Sequence, residues 1–194
     1  MTTPHTQEIA CQQVLVEDSS VFSIQWSVFS HAIAAGLTPE ILLKRYLAYI
    51  RSSTVSVIRP TTTLNGVELR LLSSGISLIS FLPPVQDTVN NASVLRICGG
   101  LLVLSRQRNR GELRFVVEDS TEGVKVSLQL SDFCPLILGG QAPCFVRRWL
   151  YRFTQAFIHR LVTVRFLILL YRDLTGASSP VRMVNARVRD GRPV

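Results

Sequence analysis

Residues 144–174 read CFVRRWLYRFTQAFIHRLVTVRFLILLYRDL, the longest run in the chain with the pattern of a single helix. At ~1.5 Å rise per residue, roughly 30 residues make a rod of about 45 Å. Val146, Leu150, Phe153, Phe157, Leu161, Val164, Ile168 and Tyr171 recur at helical spacing and predict an apolar face. Arg148, Arg152, Gln155 and His159 predict a polar, basic one. The segments before this helix look like short strands that need such a cover. The expected class is α+β: an antiparallel sheet of about seven or eight strands, packed against a long C-terminal helix and a shorter helix near 38–52.

Working outward, Ile9–Val16 and Val21–Phe29 read as the first two strands. In the second, Ile24, Trp26 and Val28 alternate with Ser23, Gln25 and Ser27. Thr38-Pro39 opens the shorter helix, since Thr caps free N–H groups and Pro is pre-set for the first helical position. Val55–Arg59, Gly66–Leu72 and Ile76–Leu82 follow as strands, and Pro83–Ala92 as a loop. Three strands then come in hairpin order: Val94–Leu104, bent at Gly99-Gly100, one through Leu113, Phe115 and Val117, and one from Val124 to Leu130. One domain is expected over 9–175, with a flexible arm at 1–8. The tail at 176–194, which carries Arg182, Arg187, Arg189 and Arg192, reads as a flexible basic end.

The chain of 194 residues has a net charge of +8 and a pI near 10.0. Lys44 and Lys125 are the only lysines among 21 basic residues, which leaves 19 arginines. Arginine forks onto phosphate and carboxylate and keeps its charge, so an anionic partner is expected: a membrane surface or nucleic acid. A codon bias in the gene gives the same composition. Three clusters stand out: Arg106, Arg108 and Arg110 on a turn; Arg147, Arg148, Arg152, Arg160 and Arg165 on the long helix; and the tail. Aromatics interleave with the helical group at Trp149, Tyr151 and Phe153, as on surfaces that bind nucleic acid. At the far end of the helix, Phe166, Leu167, Leu169 and Leu170 belong to a run apolar on every side. One sheet face does not bury such a run, so contact with a partner, a membrane or a second copy is expected there.

No phosphate-loop, dinucleotide, zinc-protease or nucleophile-elbow motif occurs in the sequence. His5, His31 and His159 have no acid or Cys at ligand spacing, and Glu17-Asp18 and Glu118-Asp119 fall in expected turns. No metal, no cofactor and no catalytic residue is assigned, and a non-enzymatic protein is expected. Cys11, Cys98, Cys134 and Cys144 are scattered, which suits free thiols in a reducing compartment. Met1–Gln13 is polar and lacks the apolar segment of a secretion signal. A cytoplasmic protein, peripheral to any membrane it meets, is therefore expected, and not a secreted one.

In layout, with strands, a short helix, a run of antiparallel strands and the long helix at 144–174, the chain resembles the START-like helix-grip domains. It departs from them by opening with two strands where they have one. The resemblance implies a cavity between sheet and C-terminal helix for an apolar ligand such as a lipid, sterol or polyketide. In size and charge the chain is also similar to viral matrix proteins, which bind membrane and ribonucleoprotein. Two functions are thus open: a basic binding or structural protein on an anionic surface, and an apolar-ligand carrier. Arginines contiguous on the outside favour the first, and one or two arginines turned into a cavity favour a ligand headgroup.

Overall fold

The computed structural model describes residues 6–107, 109–138 and 157–193. Arg108, Arg147, Arg148 and Arg152 lie outside them, as does the first part of the long helix expected from Cys144.

Among the described residues eleven strands join one sheet. They are β1 (Gln7–Leu15), β2 (Val21–Phe29), β3 (Ile58–Thr63), β4 (Gly66–Leu71), β5 (Ser77–Phe81), β6 (Val85–Asp87), β7 (Ala92–Gly99), β8 (Glu112–Ser120), β9 (Gly123–Phe133), β10 (Val181–Asn185) and β11 (Arg192–Pro193). The main path runs β10-β1-β2-β9-β8-β7-β5-β4-β3, with β6 paired to β7 and β11 to β1. The β1–β10 ladder is parallel and the others are antiparallel. The class is as expected, and the sheet is wider for two reasons. Val85–Asp87, inside the expected loop, pairs with β7. The tail, expected to be loose, supplies β10 and β11.

The tail is held by more than its ladders. The Gln12 side-chain Oε1 accepts from the backbone N–H groups of Val188 (2.7 Å) and Arg189 (2.9 Å). The Arg189 guanidinium lies over the Phe22 ring, 5.4 Å from its centroid, and reaches Asp132 at 3.3 Å. This segment covers a small apolar cluster of Val14, Phe22 and Ile24 on the sheet face turned away from the helices. Gln7 and Glu8, expected in the N-terminal arm, belong to β1, and Gln7 is buried.

Helix α1 (Pro39–Ser53) forms where the capping signal places it. The Thr38 hydroxyl accepts from the Ile41 N–H, Pro39 fills the first turn with Glu40, and Arg51 sits in the last, where each charge suits the helix dipole. Its inward side is Leu42, Leu43, Tyr46 and Ile50. Helix α2 (Phe157–Thr175) crosses the same sheet face. Tyr46 joins the layers: its ring centroid lies 5.3 Å from Phe115 on β8 and 5.2 Å from Phe166 on α2, the latter edge to face.

The phase of α2 differs from expectation. Thr163, Phe166, Leu167, Leu170 and Tyr171 are buried, while Leu161, Val164 and Ile168 are half-buried. Phe166, Leu167 and Leu170 are therefore part of the chain's own core, not a surface for a partner, and Leu169 is half-buried beside them. The reason lies in the residues: 161–170 is apolar on nearly all sides, so its periodicity does not fix which side turns inward. With α1 and α2 both laid on the sheet, there is enough apolar surface to bury three of the four.

Strand β7 ends at Gly99, short of the expected Leu104, because Gly100 turns the chain with φ +118. A Cβ at Gly100 would stand 2.4 Å from the Leu78 carbonyl oxygen, a position open only to glycine. The alternation of β2 is as expected, but its polar row faces the interior: Ser23, Gln25 and Ser27 are buried between Val21 and Phe29. Among the described residues no helix is long and apolar enough to cross a membrane.

Candidate functional site

Between α1, α2 and the far half of the sheet lies a cavity of about 290 Å³. Its wall takes one to three side chains from each of eight elements. Helix α1 supplies Tyr46, Leu47 and Ile50. Strands β3, β4 and β5 supply Ile58, Leu69, Ile79 and Phe81. Strands β7, β8 and β9 supply Leu95, Ile97, Leu113, Leu130 and Phe133. Val162 and His159 of α2 close it. Each of these six strands contributes inward residues, so strand pairing brings these distant residues together.

Few polar atoms reach this wall. The Thr54 hydroxyl donates to the Ile50 carbonyl (2.7 Å) and accepts from the Ile58 N–H (3.1 Å). The Tyr46 hydroxyl is paired with Thr163, whose own hydroxyl donates to the His159 carbonyl (3.0 Å). Burial pushes the Tyr46 phenol up to about 12, so it stays protonated. His159 is different. Burial against the apolar wall lowers its imidazole to about 4, so the ring is neutral at ordinary pH. No hydrogen bond to its ring nitrogens occurs among the described residues. A neutral imidazole offers one donor and one acceptor. His159 is thus the polar group of this wall with capacity to spare, and it lies on the inward side of α2, not on the expected polar side.

The described arginines of the expected anion site do not meet in one place. Arg106 lies in a 3-10 turn at Ser105–Gln107, beside a separate hollow that includes Asp18, Cys134 and Leu138. Arg110 pairs with Asp18 across the molecule. That pairing assists Ser20, the larger influence, whose backbone N–H donates to Asp18 Oδ1 at 3.0 Å, in holding the Asp18 carboxyl near 2. Arg165 is exposed on α2. Arg160 lies next to the Cys11 thiol and lines a third, polar cavity at the β1 edge. Cys11 and Cys134 are buried free thiols and Cys98 is half-buried. Among the described residues no group of three or more metal-ligating side chains forms a metal site.

In the sheet, β2, the strand before α1, lies next to β9, the last strand before α2, and α2 packs across β2 and β1. Strand β1 lies on the outer side of β2, between it and β10. No protein-family model and no curated protein sequence matches the chain. Two solved structures of CalU16 from Micromonospora echinospora are similar to it. The crystal structure is 12% identical, covers 91% of this chain and 88% of its own, and has a TM-score of 0.38. The solution NMR structure is 10% identical, covers 91% and 78%, and has a TM-score of 0.41. Likeness at that level says nothing of ligand or activity.

Proposed function

We propose that the chain binds a small apolar molecule in the cavity between α1, α2 and the sheet. The cavity itself carries this proposal: about 290 Å³, walled almost wholly by aliphatic and aromatic side chains, with the His159 ring, unpaired among the described residues, to orient a guest. That volume is at the small end of the roughly 300–1,000 Å³ that ligand sites occupy, and the mixture of apolar wall and few polar atoms is theirs too. Such a cavity does not hold water well, so an apolar guest gains by entering it. The neutral His159 ring suits a guest with one hydroxyl or carbonyl at its edge. An anionic surface as the main function has less in its favour, since the described arginines are dispersed and Arg110 is already paired.

The test is an uncharged fluorescent apolar probe such as N-phenyl-1-naphthylamine, with Val162→Trp to fill the cavity from α2. One saturable site is expected in the native protein, weakened at least about tenfold in the variant while far-UV circular dichroism is unchanged. Equal probe binding by a folded Val162→Trp protein would overturn the proposal. Native mass spectrometry of the purified protein then identifies any small apolar molecule carried from the host.

A further inference from the structure

The polar cavity at the β1 edge measures about 420 Å³. Its inner wall is Cys11 and Gln13 of β1 and Gln25 of β2, with Cys11 directly across from Gln25 in the ladder. Its outer wall is Arg160 of α2 and the segment 185–193 that the tail lays along β1.

Two side chains in it are incompletely matched. Gln25 has no exposed surface, and its Nε2 donates to the Ser23 hydroxyl at 2.8 Å, but its Oε1 has no partner among the described residues. A buried carbonyl oxygen without a donor is unfavourable, and such groups persist where something else supplies the hydrogen. Arg160 is the second. Its guanidinium meets the Cys11 thiol, and no carboxylate among the described residues pairs with it. Burial raises the thiol above its usual range, so Cys11 is a neutral neighbour and does not cancel the charge. The other charges of this cavity are matched: Arg189 reaches Asp132 at 3.3 Å, and Arg187 reaches Asp190 at 2.8 Å.

The site therefore lacks an anion at Arg160 and a hydrogen-bond donor at Gln25. We propose that the cavity binds a small carboxylate carrying an O–H or N–H group beside the acid, such as a 2-hydroxy or 2-amino acid. The carboxylate pairs with Arg160, and the hydroxyl or amine donates to Gln25 Oε1. Arginine presents a planar fork suited to a carboxylate, and the small polar chamber beyond it suits a short molecule. This site is separate from the apolar cavity and does not depend on its occupant.

The experiment is calorimetric titration of the full chain with lactate and alanine, and with propionate, which keeps the carboxylate and loses the donor. Lactate or alanine is expected to bind at one site, with propionate at least about tenfold weaker. Arg160→Gln, a change at an exposed position, is expected to abolish binding with the fold intact by circular dichroism. Val162→Trp is expected to leave it unchanged. No binding of lactate or alanine overturns the proposal. So does binding unaffected by Arg160→Gln, or equal binding of propionate. Inorganic phosphate binding as tightly as lactate also overturns it, because that marks a site for any anion.

Discussion

His159 and Arg160 are consecutive on α2, yet the imidazole borders the apolar cavity and the guanidinium borders the polar one. One residue step turns a helix by about 100°, which is enough to send neighbours to different compartments. One turn of helix is thus the partition between two chemically opposite chambers, and it gives both a handle for mutation.

The first prediction concerns pH. His159 has its proton affinity lowered to about 4 in the fold, against about 6.5 in an unfolded chain. Between those values the unfolded state binds the proton and the folded state does not. Stability from this group is complete above pH ~6.5 and falls as pH drops towards 4, by about 3 kcal/mol in full. His159→Phe is expected to flatten urea-unfolding free energies between pH 6.5 and 4.5. Asp18, held near 2, loses its contribution only below about pH 4, so the two windows separate. A His159→Phe protein with the native pH slope would contradict this assignment.

Tyr46 and Phe166 join the two helices, which makes their contact a test of the packing. Phe166→Ala is expected to destabilise the protein by about 3–5 kcal/mol, the usual range for emptying a buried aromatic site. Tyr46→Phe keeps the ring and loses only the link to Thr163, with an expected loss of about 1 kcal/mol. A double-mutant cycle on Tyr46→Leu and Phe166→Leu is expected to give a coupling of about 0.5–1.5 kcal/mol.

At Gly100 a Cβ would meet main-chain atoms of Leu78 and Ile79 within 2.6 Å, and φ is +118. Gly100→Ala is expected to lose at least about 2 kcal/mol. Gly75 has nothing within 4 Å of its Cβ position, so Gly75→Ala is expected to stay within about 0.5 kcal/mol. Chemical denaturation of both variants checks the contrast.

Deleting 181–194 removes β10, β11 and the cover over Val14, Phe22 and Ile24. The deletion is expected to lower the unfolding midpoint and to promote self-association through the bared β1 edge. Light scattering at increasing concentration reads the second effect. A monomeric, equally stable deletion would show that the tail's pairing carries no weight.

Local chemistry made part of this fold legible. Thr38-Pro39 placed the start of α1, and the alternation around Phe115 and Val126 placed β8 and β9 in hairpin order. Three features were hidden, each for a physical reason. The inward side of α2 has no periodic signal where Phe166–Leu170 is apolar throughout. The buried row Ser23, Gln25 and Ser27 looks solvent-facing, because polarity normally marks the wet side of a strand. Strand β10 carries exposed Val181, Arg182 and Met183, and its partner is far away in sequence. The apolar cavity had no motif at all. Ile58, Leu69 and Ile79 become neighbours only through the register of three strands. Of the described residues named for anion binding, Arg160 is the one placed beside an unmatched buried acceptor.

The parallel ladder of β1 and β10 also has a consequence in time. Gln7 is registered with Val181, so 174 residues must be added between the two halves of that pairing. At a synthesis rate of about 5–20 residues per second, β1 waits roughly 9–35 s for its outer neighbour. For that interval the growing chain offers an unprotected strand to other chains, while the opposite border of the sheet, β3, has Pro60 to blunt it. The nascent chain is therefore most vulnerable at β1, and a chaperone that shields this strand would matter most before the ribosome reaches the 180s.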